Sequence, residues 1–333
     1  MTTYTFSAGR QQITLTNAAT TVFNATTNDP FFLSDWVQYR ASGTSSTSTT
    51  LAYPLKIDAA ASPFTFNGGR FYGNIGASID WDNFYEGGRF TLPSTFPRFN
   101  SALCLLRNGV RGTFNDVEFG IRDDLNSGYV DGFHLAQGGN CIFNRPRVWL
   151  GRDDWIECDD VVRSHTINDG FFENLFVWLS GTGNIPNGFF YVNNCLVHFR
   201  RWLFRGGLTH GPFLKVDSAT ASPNFRFNNV CMVIDYRNTF DNNRVKSALA
   251  KTQAVNGSRL LVLNGTHQDR DLIARFQTAG FSVLEDAGGT AATQEWLTRK
   301  TAFLNGASNP PPPPPPPPPP SLSSPVTFSV QVG

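Results

Sequence analysis

The sequence predicts an all-β chain whose short parallel strands stack in successive coils, because short motifs recur along it at a fixed spacing. The string Gly-Gly-Arg-Phe occurs at residues 68–71 and again at 87–90, nineteen positions later. The gaps between successive cysteines are 37, 17, 37 and 36 residues, for Cys104, Cys141, Cys158, Cys195 and Cys231. These gaps are about one or two multiples of ~18.5 residues, and self-similarity at a short fixed period is typical of solenoids.

The repeating unit has the composition of a short strand followed by a turn. Runs of three to five apolar or β-branched residues are flanked by Asn or Gly, as at 140–143, 174–177, 192–197 and 229–233. Such runs are too short for helices and are bounded by turn-forming residues, so they predict strands.

A corner is predicted where Asp or Asn precedes Gly and Phe. The three examples are Asp131-Gly132, Asp169-Gly170 and Asn187-Gly188. Gly accepts a positive φ and Asn or Asp tolerates it, so each pair turns the chain at little cost. A second column of inward-pointing aromatics is predicted at Phe133, Phe171, Phe189 and Phe225.

Together these patterns predict a right-handed parallel β-helix over residues 56–265, with about eleven coils of ~18–19 residues each. The left-handed hexapeptide pattern and the calcium-binding glycine repeat are both absent, which favours the right-handed form. The cysteines are expected to point inward as reduced, small hydrophobic residues. A disulfide between Cys141 and Cys158 is the alternative, and no metal site or cofactor is expected from this spacing.

Composition excludes several classes of partner. The net charge is +1 and 16% of residues are charged, which predicts no binding to nucleic acid. No apolar run of 18 residues occurs, so no membrane span is expected. The first residues lack the basic and apolar regions of a Sec signal peptide, so export by another route or release by lysis is expected.

Both ends depart from the repeat. Residues 1–55 lack it and are predicted to form an N-terminal cap that protects the first coil. Residues 266–306 are predicted to form a C-terminal cap with short helices at 269–278 and 293–304, because apolar residues there have helical spacing.

The last 27 residues form a separate pattern. Within the linker 307–325, eleven consecutive prolines from Pro310 to Pro320 predict a polyproline II rod about 34 Å long at ~3.1 Å per residue. Residues 326–333 then alternate as a half-buried strand does, with one apolar face formed by Val326, Phe328, Val330 and Val332. Two interpretations remain: a flexible tail, or a strand that docks on another copy of the chain.

An acidic cluster contains the candidates for catalysis, which are Asp123, Asp154, Glu157, Asp159 and His165. Asp123 and Asp159 are 36 residues apart, two predicted coils, so their vertical distance would be about 10 Å. Carboxylates about 6.5–9.5 Å apart suit inverting glycoside hydrolysis. His165 or nearby arginines would instead serve a lyase-type proton abstraction from a uronate. The competing interpretation is that these polar residues satisfy turns or face solvent.

A glycan-binding face is the other candidate site. Trp155 and Trp178 would stack on sugar rings, and Arg152 and Arg163 would bind acidic groups. Lateral packing is the alternative role for the two tryptophans.

The stretch Arg152-Asp153-Asp154-Trp155-Ile156-Glu157-Cys158-Asp159, with Asp169-Gly170, Leu179-Ser180 and Glu295-Trp296-Leu297 after it, resembles uncharacterised right-handed parallel β-helix repeat proteins of bacteria. The resemblance covers about residues 60–305. It implies a fold shared with pectate-lyase-like enzymes, polygalacturonase-like hydrolases and phage tailspikes, and it implies no particular activity. The Gly-His-Gly and Arg-x-Lys motifs expected of polygalacturonase-like enzymes are missing.

We therefore expect a structural, adhesive protein of an extracellular, cell or virion surface that assembles with copies of itself through its C-terminal strand. Polysaccharide is the expected ligand of its lateral face. The alternative is a polysaccharide depolymerase, free or as a tailspike, that uses the acidic cluster.

Overall fold

The computed structural model describes residues 2–5, 9–11, 13–15, 21–24, 30–35, 55–58, 63–74, 101–107, 111–121, 130–135, 139–148, 151–158, 164–181, 187–204, 207–209, 211–237 and 242–306. These residues are mostly in β-strands, nearly all of them parallel, with few helices. The all-β class predicted from the sequence is therefore confirmed.

The first strands are β1 (Thr2–Thr5), β2 (Gly9–Gln11), β3 (Ile13–Leu15), β4 (Thr21–Asn24), β5 (Pro30–Asp35), β6 (Leu55–Asp58), β7 (Phe64–Asn67), β8 (Arg70–Asn74), β9 (Ser101–Arg107), β10 (Gly112–Asn115), β11 (Glu118–Ile121), β12 (Val130–Leu135), β13 (Cys141–Asn144) and β14 (Arg147–Val148). The remaining strands are β15 (Gly151–Cys158), β16 (Ser164–Asn168), β17 (Phe171–Gly181), β18 (Phe189–Asn193), β19 (Leu196–Phe199), β20 (Trp202–Phe204), β21 (Gly207–Thr209), β22 (Leu214–Val216), β23 (Asn224–Asn228), β24 (Cys231–Asp235), β25 (Thr252–Val255), β26 (Arg259–Leu263) and β27 (Ser282–Glu285). The helices are α1 (Asn242–Leu249), α2 (Arg270–Thr278) and α3 (Ala291–Gly306).

The first sheet has nine parallel strands in the order β1-β4-β7-β10-β13-β16-β18-β23-β25. From β1 to β16, neighbouring strands in this sheet are three strands apart in the chain. Side chains alternate between the core and the outer surface, as in β7, where Phe64 and Phe66 are buried and Thr65 and Asn67 are half-buried. One face of this sheet therefore packs on the core.

The second sheet has sixteen strands and contains two parallel rows that meet in β17. The first half of this long strand pairs with β14 and β19, and the second half pairs with β15 and β22. The β17–β19 pairing shifts in register between Phe172 and Leu175, and the β15–β17 pairing shifts between Gly151 and Asp154. Both irregularities lie where the two rows join. Only β20 and β21 pair in the antiparallel direction among the described strands.

Aromatic side chains fill the core between the sheets. Phe114 is fully buried and its ring lies 5.3 Å from that of Phe143, nearly parallel to it. Phe133 lies edge-on to both rings, at 4.8 and 4.6 Å. Such edge-to-face and stacked pairs add to the free energy gained from burial. The high phenylalanine content of the sequence is thus accounted for in part by stacked core rings.

A continuous ladder of asparagine side chains runs along the first sheet, at the last position of each ladder strand from β7 to β23 and then at Asn256, the residue that follows β25. Each amide donates from Nδ2 to the Oδ1 atom of the asparagine on the preceding strand, at distances of 2.7 to 3.2 Å. The members of this asparagine ladder are Asn67, Asn115, Asn144, Asn168, Asn193, Asn228 and Asn256. Each inner member therefore both donates and accepts, which fixes the stacking of seven consecutive positions.

The residue after each ladder asparagine turns the chain into the second sheet. Five such residues that are not glycine have φ between 53° and 56°: Asp116, Arg145, Asp169, Asn194 and Asn229. In β7 the same position is occupied by Gly68, with φ of 70°. The turn is held because the backbone N–H at this position donates to the ladder asparagine of the following strand, as Asp116 does to Asn144 at 2.9 Å. Asn and Asp tolerate the left-handed conformation at such positions.

The predicted period of 18–19 residues is wrong for most of the first sheet. Successive members of the asparagine ladder from Asn67 to Asn228 are 48, 29, 24, 25 and 35 residues apart. Only β1 and β4 have the predicted spacing, since Thr2 pairs with Thr21. Among the described residues this sheet has nine strands, whereas about eleven coils were predicted. Connections of unequal length are tolerated because the entropic cost of closing a loop grows slowly with its length.

Two further details of the predicted repeat are wrong. Asp169 does turn the chain at a corner, but Asp131 and Gly132 lie inside β12 and Asn187 and Gly188 precede β18. The predicted phenylalanine column is not a column either, because Phe133 aligns with Ile156, and Phe225 aligns with Phe190.

The sequence predicted that residues 1–55 lack the repeat, but the strands described in this segment belong to it. Strand β1 pairs with β4 and β4 with β7, while β5 pairs with β8, so the described strands of this segment continue the same two sheets. Their short polar sequences conceal this because the pairing partner is distant in the chain, as for Thr21 and Phe64.

The helices predicted in residues 266–306 are confirmed as α2 and α3. Helix α2 buries Leu272, Ile273 and Phe276 in the same core as the two sheets. Helix α3 instead lies on the outer side of the second sheet, where Ala292 and Trp296 pack with Phe171 in a separate apolar cluster. Helix α1 was not predicted. Among the described residues, none of the helices has the length and apolar character needed to span a bilayer.

Replacing one inner member of the asparagine ladder should destabilise the chain markedly. Asn168→Ala removes the hydrogen bond donated to Asn144 and the one accepted from Asn193, both at 2.9 Å. The free energy of unfolding in urea should fall by about 1–3 kcal/mol, because a half-buried donor and acceptor each lose a partner. The control is Asn187→Ala, at an exposed position outside the ladder. Equal stability of the two variants would show that the ladder contributes nothing.

Candidate functional site

Four polar residues of β15, β17 and β22 come together in the second sheet. Glu157 aligns with Ser180, and Ser180 aligns with Lys215, so three of them occupy adjacent strands in one row. Asp154 lies three residues before Glu157 in β15, and the Nζ atom of Lys215 donates to its Oδ2 atom at 2.7 Å. We call Asp154, Glu157, Ser180 and Lys215 the polar cluster.

The polar cluster is buried except at Lys215. Asp154, Glu157 and Ser180 are 1%, 6% and 0% exposed, whereas the Lys215 side chain is 21% exposed. Glu157 and Lys215 are two strands apart, about 10 Å between their Cα atoms at ~4.8 Å per strand. A large ligand approaching from solvent would therefore reach the ammonium group of Lys215 before either carboxylate.

Ser180 is the member with unused hydrogen-bonding capacity. Its Oγ atom is buried and has no hydrogen-bond partner in the part of the chain that the structure describes. A buried hydroxyl without a partner costs free energy, so it marks either a strained position or a place that a ligand or water completes. Its position between Glu157 and Lys215 puts this hydroxyl at the centre of the row.

The arrangement supplies three chemical groups on adjacent strands: a carboxylate neutralised by an ammonium group, a second carboxylate and a hydroxyl. A buried ion pair of this kind contributes little net stability, but removing one partner leaves an uncompensated buried charge. The second carboxylate is the group of the polar cluster suited to proton transfer.

His165 does not join the other catalytic candidates. It lies in β16 of the first sheet, where its Nδ1 atom accepts a hydrogen bond from the backbone N–H of Cys141 at 3.3 Å. Its ring is 5.5 Å from that of Phe190. Burial lowers the pKa of His165 to about 4, so the imidazole is neutral at pH 7 and has a structural role.

The structure brings together Asp154 and Glu157 from the sequence-predicted set and adds Ser180 and Lys215, which the sequence did not reveal. Lys215 is 61 residues from Asp154 in the chain, and its strand β22 follows the hairpin of β20 and β21. The predicted pair Asp123 and Asp159, and also Arg163, lie outside the described residues. Arg152 belongs to β15, but its side chain lies outside the description.

The prediction that Trp155 and Trp178 stack on sugar rings is wrong, because both are buried, at 2% and 0% exposure. The ring of Trp155 lies edge-on to that of Phe172 at 4.5 Å, and the ring of Trp178 stacks on Phe227 at 5.9 Å. Both rings belong to the buried core cluster, so lateral packing in the core is their role.

The described cysteines are buried and free, as the sequence predicted: Cys141, Cys158, Cys195 and Cys231. Burial raises the pKa of the Cys141 and Cys231 thiols to about 12, so both are unreactive at neutral pH. They do not share one column, because Cys141 lies in the first sheet opposite Gly112 and Cys231 lies in the second sheet under α3. Among the described residues, no group of three potential metal ligands occurs.

Helix α3 is held on the second sheet by a group of charged and aromatic contacts. Lys300 donates to Glu173 at 2.5 Å, and its ammonium group lies 5.7 Å from the ring of Trp296. That ring stacks on His198 at 5.1 Å. Desolvation, aided by the nearby charge of Lys300, lowers the pKa of His198 to about 4, which keeps the stacked imidazole neutral.

Comparison of this chain with protein-family models, curated proteins and solved structures gave no match.

A double-mutant cycle measures whether the buried ion pair is structural. Lys215→Met should lower the free energy of unfolding by about 3 kcal/mol, because Asp154 is then buried without its counter-charge. Adding Asp154→Asn should recover most of this loss, since a neutral amide replaces the stranded carboxylate. Urea unfolding of the wild type, both single variants and the double variant gives the coupling free energy. A coupling near zero would contradict a structural pair.

Proposed function

We propose that the two sheets form the walls of a right-handed parallel β-helix. Three strands recur in fixed order along the chain, β1, β2 and β3, then β4, β5 and β6, and each pairs with its counterpart in the next set. In sets such as those that begin with β10 and β13, the first strand ends in a ladder asparagine, and a corner residue follows it. Parallel crossovers are overwhelmingly right-handed, which supports the handedness. The resemblance to bacterial β-helix repeat proteins is consistent with this architecture.

We further propose that this β-helix is a structural, adhesive protein of an extracellular, cell or virion surface. The unbroken asparagine ladder from Asn67 to Asn256 carries this proposal, because a continuous hydrogen-bonded stack gives a rigid rod. The burial of Asp154, Glu157 and His165 also favours it, since none of these groups presents a reactive atom to a large substrate.

The proposed rod assembles with copies of itself through its C-terminal strand, residues 326–333, delivered by the polyproline segment. Donation of a strand from one copy to the next is heterologous and produces filaments unless it closes into a ring. We place the glycan-contacting lateral face on the outer side of the first sheet. Tyr191 is 40% exposed there, with Phe189 stacked beside it at 5.4 Å and the guanidinium of Arg226 over the Phe189 ring.

Truncation after Asn309 should leave a folded chain that no longer assembles. The deleted residues contain the polyproline segment and the proposed donor strand, while all described strands and helices remain. Light scattering and electron microscopy should show assemblies for the full chain and single particles for the truncated one. Circular dichroism serves as the folding control. Assemblies of unchanged size after truncation would overturn the proposal.

A polysaccharide depolymerase is the second candidate function, and the polar cluster is the observation that favours it. An ion-paired carboxylate, a second carboxylate and a hydroxyl without a partner lie in adjacent strands. Either glycoside hydrolysis or a lyase reaction would use Glu157 for proton transfer, with Lys215 as the group that reaches an acidic sugar first.

A panel of acidic and neutral polysaccharides distinguishes the two functions. If the chain is structural, neither reducing ends nor unsaturated products should appear during incubation with the wild type. Product release that is lost in Glu157→Gln and kept in Asp217→Asn, at an exposed aspartate outside the polar cluster, would establish the depolymerase instead.

A further inference from the structure

The strands at the C-terminal end of the sheets differ in what covers them. In the first sheet the last strand is β25, and its edge is closed by the end of α2: the backbone N–H of Ala254 donates to the carbonyl oxygen of Ala279 at 2.7 Å. A side chain at Gly280 would meet the carbonyl oxygen of Ala254 at 2.2 Å, so the two backbones are in close contact. This edge has no room for another strand.

One row of the second sheet is also covered. Its last strand is β22, and helix α1 packs against it. Val245, Ala248 and Leu249 of that helix are buried in the core.

The other row of the second sheet ends in β27, whose far edge has no paired strand among the described residues. The N–H groups of Ser282 and Asp286 donate toward β26, to Ser258 and Val262. Backbone N–H groups alternate in direction along a strand, so those of Val283 and Glu285 point to the free edge. Ser282 is exposed and the other three residues of β27 are half-buried.

The free edge also lies between two apolar clusters. Val283 packs against the inner core, and Leu284 packs against the outer cluster beneath α3. A strand added here would extend one of the two clusters by one layer if its side chains alternate between apolar and polar positions. Residues 326–332 have this alternation, with Val326, Phe328, Val330 and Val332 on one face.

The position of α3 decides which copy supplies that strand. The helix begins beside β27, where the N–H of Ala292 donates to Asp286, and near its other end Phe303 lies 5.7 Å from Phe171 in β17. Four strand spacings separate β17 from β27, about 19 Å at ~4.8 Å each. The tail after Gly306 therefore starts about 19 Å from the β27 of its own molecule, with the helix pointing away from it.

The polyproline rod is longer than the remaining stack. From β17 to β2, the last strand of the row in the direction of α3, there are five spacings, about 24 Å at ~4.8 Å each. If the predicted rod of ~34 Å continued in the direction of α3, it would pass beyond β2 of its own molecule. In a head-to-tail assembly, the β2 end faces the β27 edge of the neighbouring copy.

We propose that β27 is the acceptor strand for residues 326–332 of a second copy of this chain. This inference rests on the proposed function, because it names the surface that receives the donated strand. The N–H groups of Val283 and Glu285 that point to the free edge bind the incoming backbone, and one of the two flanking apolar clusters receives its apolar face.

Disulfide trapping in the full chain tests the proposal. Two variants, Ser282→Cys and Ser329→Cys, are mixed under mild oxidation, and a covalent dimer is expected on a non-reducing gel. Thiols in paired strands come within disulfide range, and the described native cysteines are buried. The matched control is Gln253→Cys, exposed on β25, whose edge is covered; mixed with Ser329→Cys it should give no dimer.

The outcomes separate this inference from the function on which it rests. If truncation after Asn309 abolishes assembly but Ser282→Cys gives no dimer with Ser329→Cys, the strand docks elsewhere and only the assignment of β27 is overturned. If the truncated chain still assembles, the proposed function itself fails. A monomeric, internally bridged product from the double variant Ser282→Cys/Ser329→Cys in dilute solution would show that the strand returns to its own molecule, which also overturns the inference.

Discussion

The corner between the two sheets is the constraint on which the rest of the structure depends. At each corner a ladder asparagine is followed by a residue in the left-handed conformation, and the N–H of that residue bonds the carbonyl of the next ladder asparagine. This backbone bond and the side-chain bond between ladder asparagines join the same two neighbouring strands. Successive corners therefore stay aligned with one another, although the chain between them varies from 24 to 48 residues. The strands on both sides inherit their register from the corners, and the alternation of buried and exposed side chains follows from the register.

The corner positions also carry a pair of charged side chains, Asp116 and Arg145. Arg145 follows ladder residue Asn144 and pairs with Asp116, the corner residue of the preceding layer, at 2.6 and 2.8 Å. This side-chain hydrogen bond raises the pKa of the Arg145 guanidinium further above its ordinary value, so the guanidinium stays charged at all moderate pH. Both side chains are largely exposed, and such a pair contributes little stability in water. Its effect is to keep an arginine at a position that otherwise favours Asn, Asp or Gly.

The polar cluster and α3 show how the second sheet differs from the first. The first sheet turns polar side chains of its outer face toward solvent, whereas the second sheet buries polar groups such as Asp154 and Ser180 and carries a helix over part of its outer side. Two carboxylates of the second sheet form ion pairs with lysines from distant segments: Asp154 with Lys215, and Glu173 with Lys300. These long-range pairs hold the polar cluster and α3 on the second sheet, which also contains the proposed acceptor strand β27.

Sequence reasoning found the class of fold because short strands with turn residues need no information about distant partners. It identified the buried, unreactive cysteines and placed α2 and α3, whose apolar residues repeat at helical spacing. It found neither the asparagine ladder nor the true repeat length, although the ladder has a local signal: an Asn that ends a strand after an apolar residue, as in Phe66-Asn67, Phe114-Asn115 and Phe143-Asn144. Unequal loops hide this signal from any search for a fixed period.

The sequence by itself determined what each segment can form: strands from alternating or β-branched residues, corners from Asn and Asp, and helices from apolar residues at helical spacing. Tertiary structure alone decided which segments meet. It placed Trp155 and Trp178 in the core, brought Lys215 to Asp154 across 61 residues, and left the far edge of β27 without a paired strand among the described residues while α2 closed β25. The physical reason is that propensity acts between near neighbours in the chain, whereas register, burial and edge coverage depend on which distant strands pair.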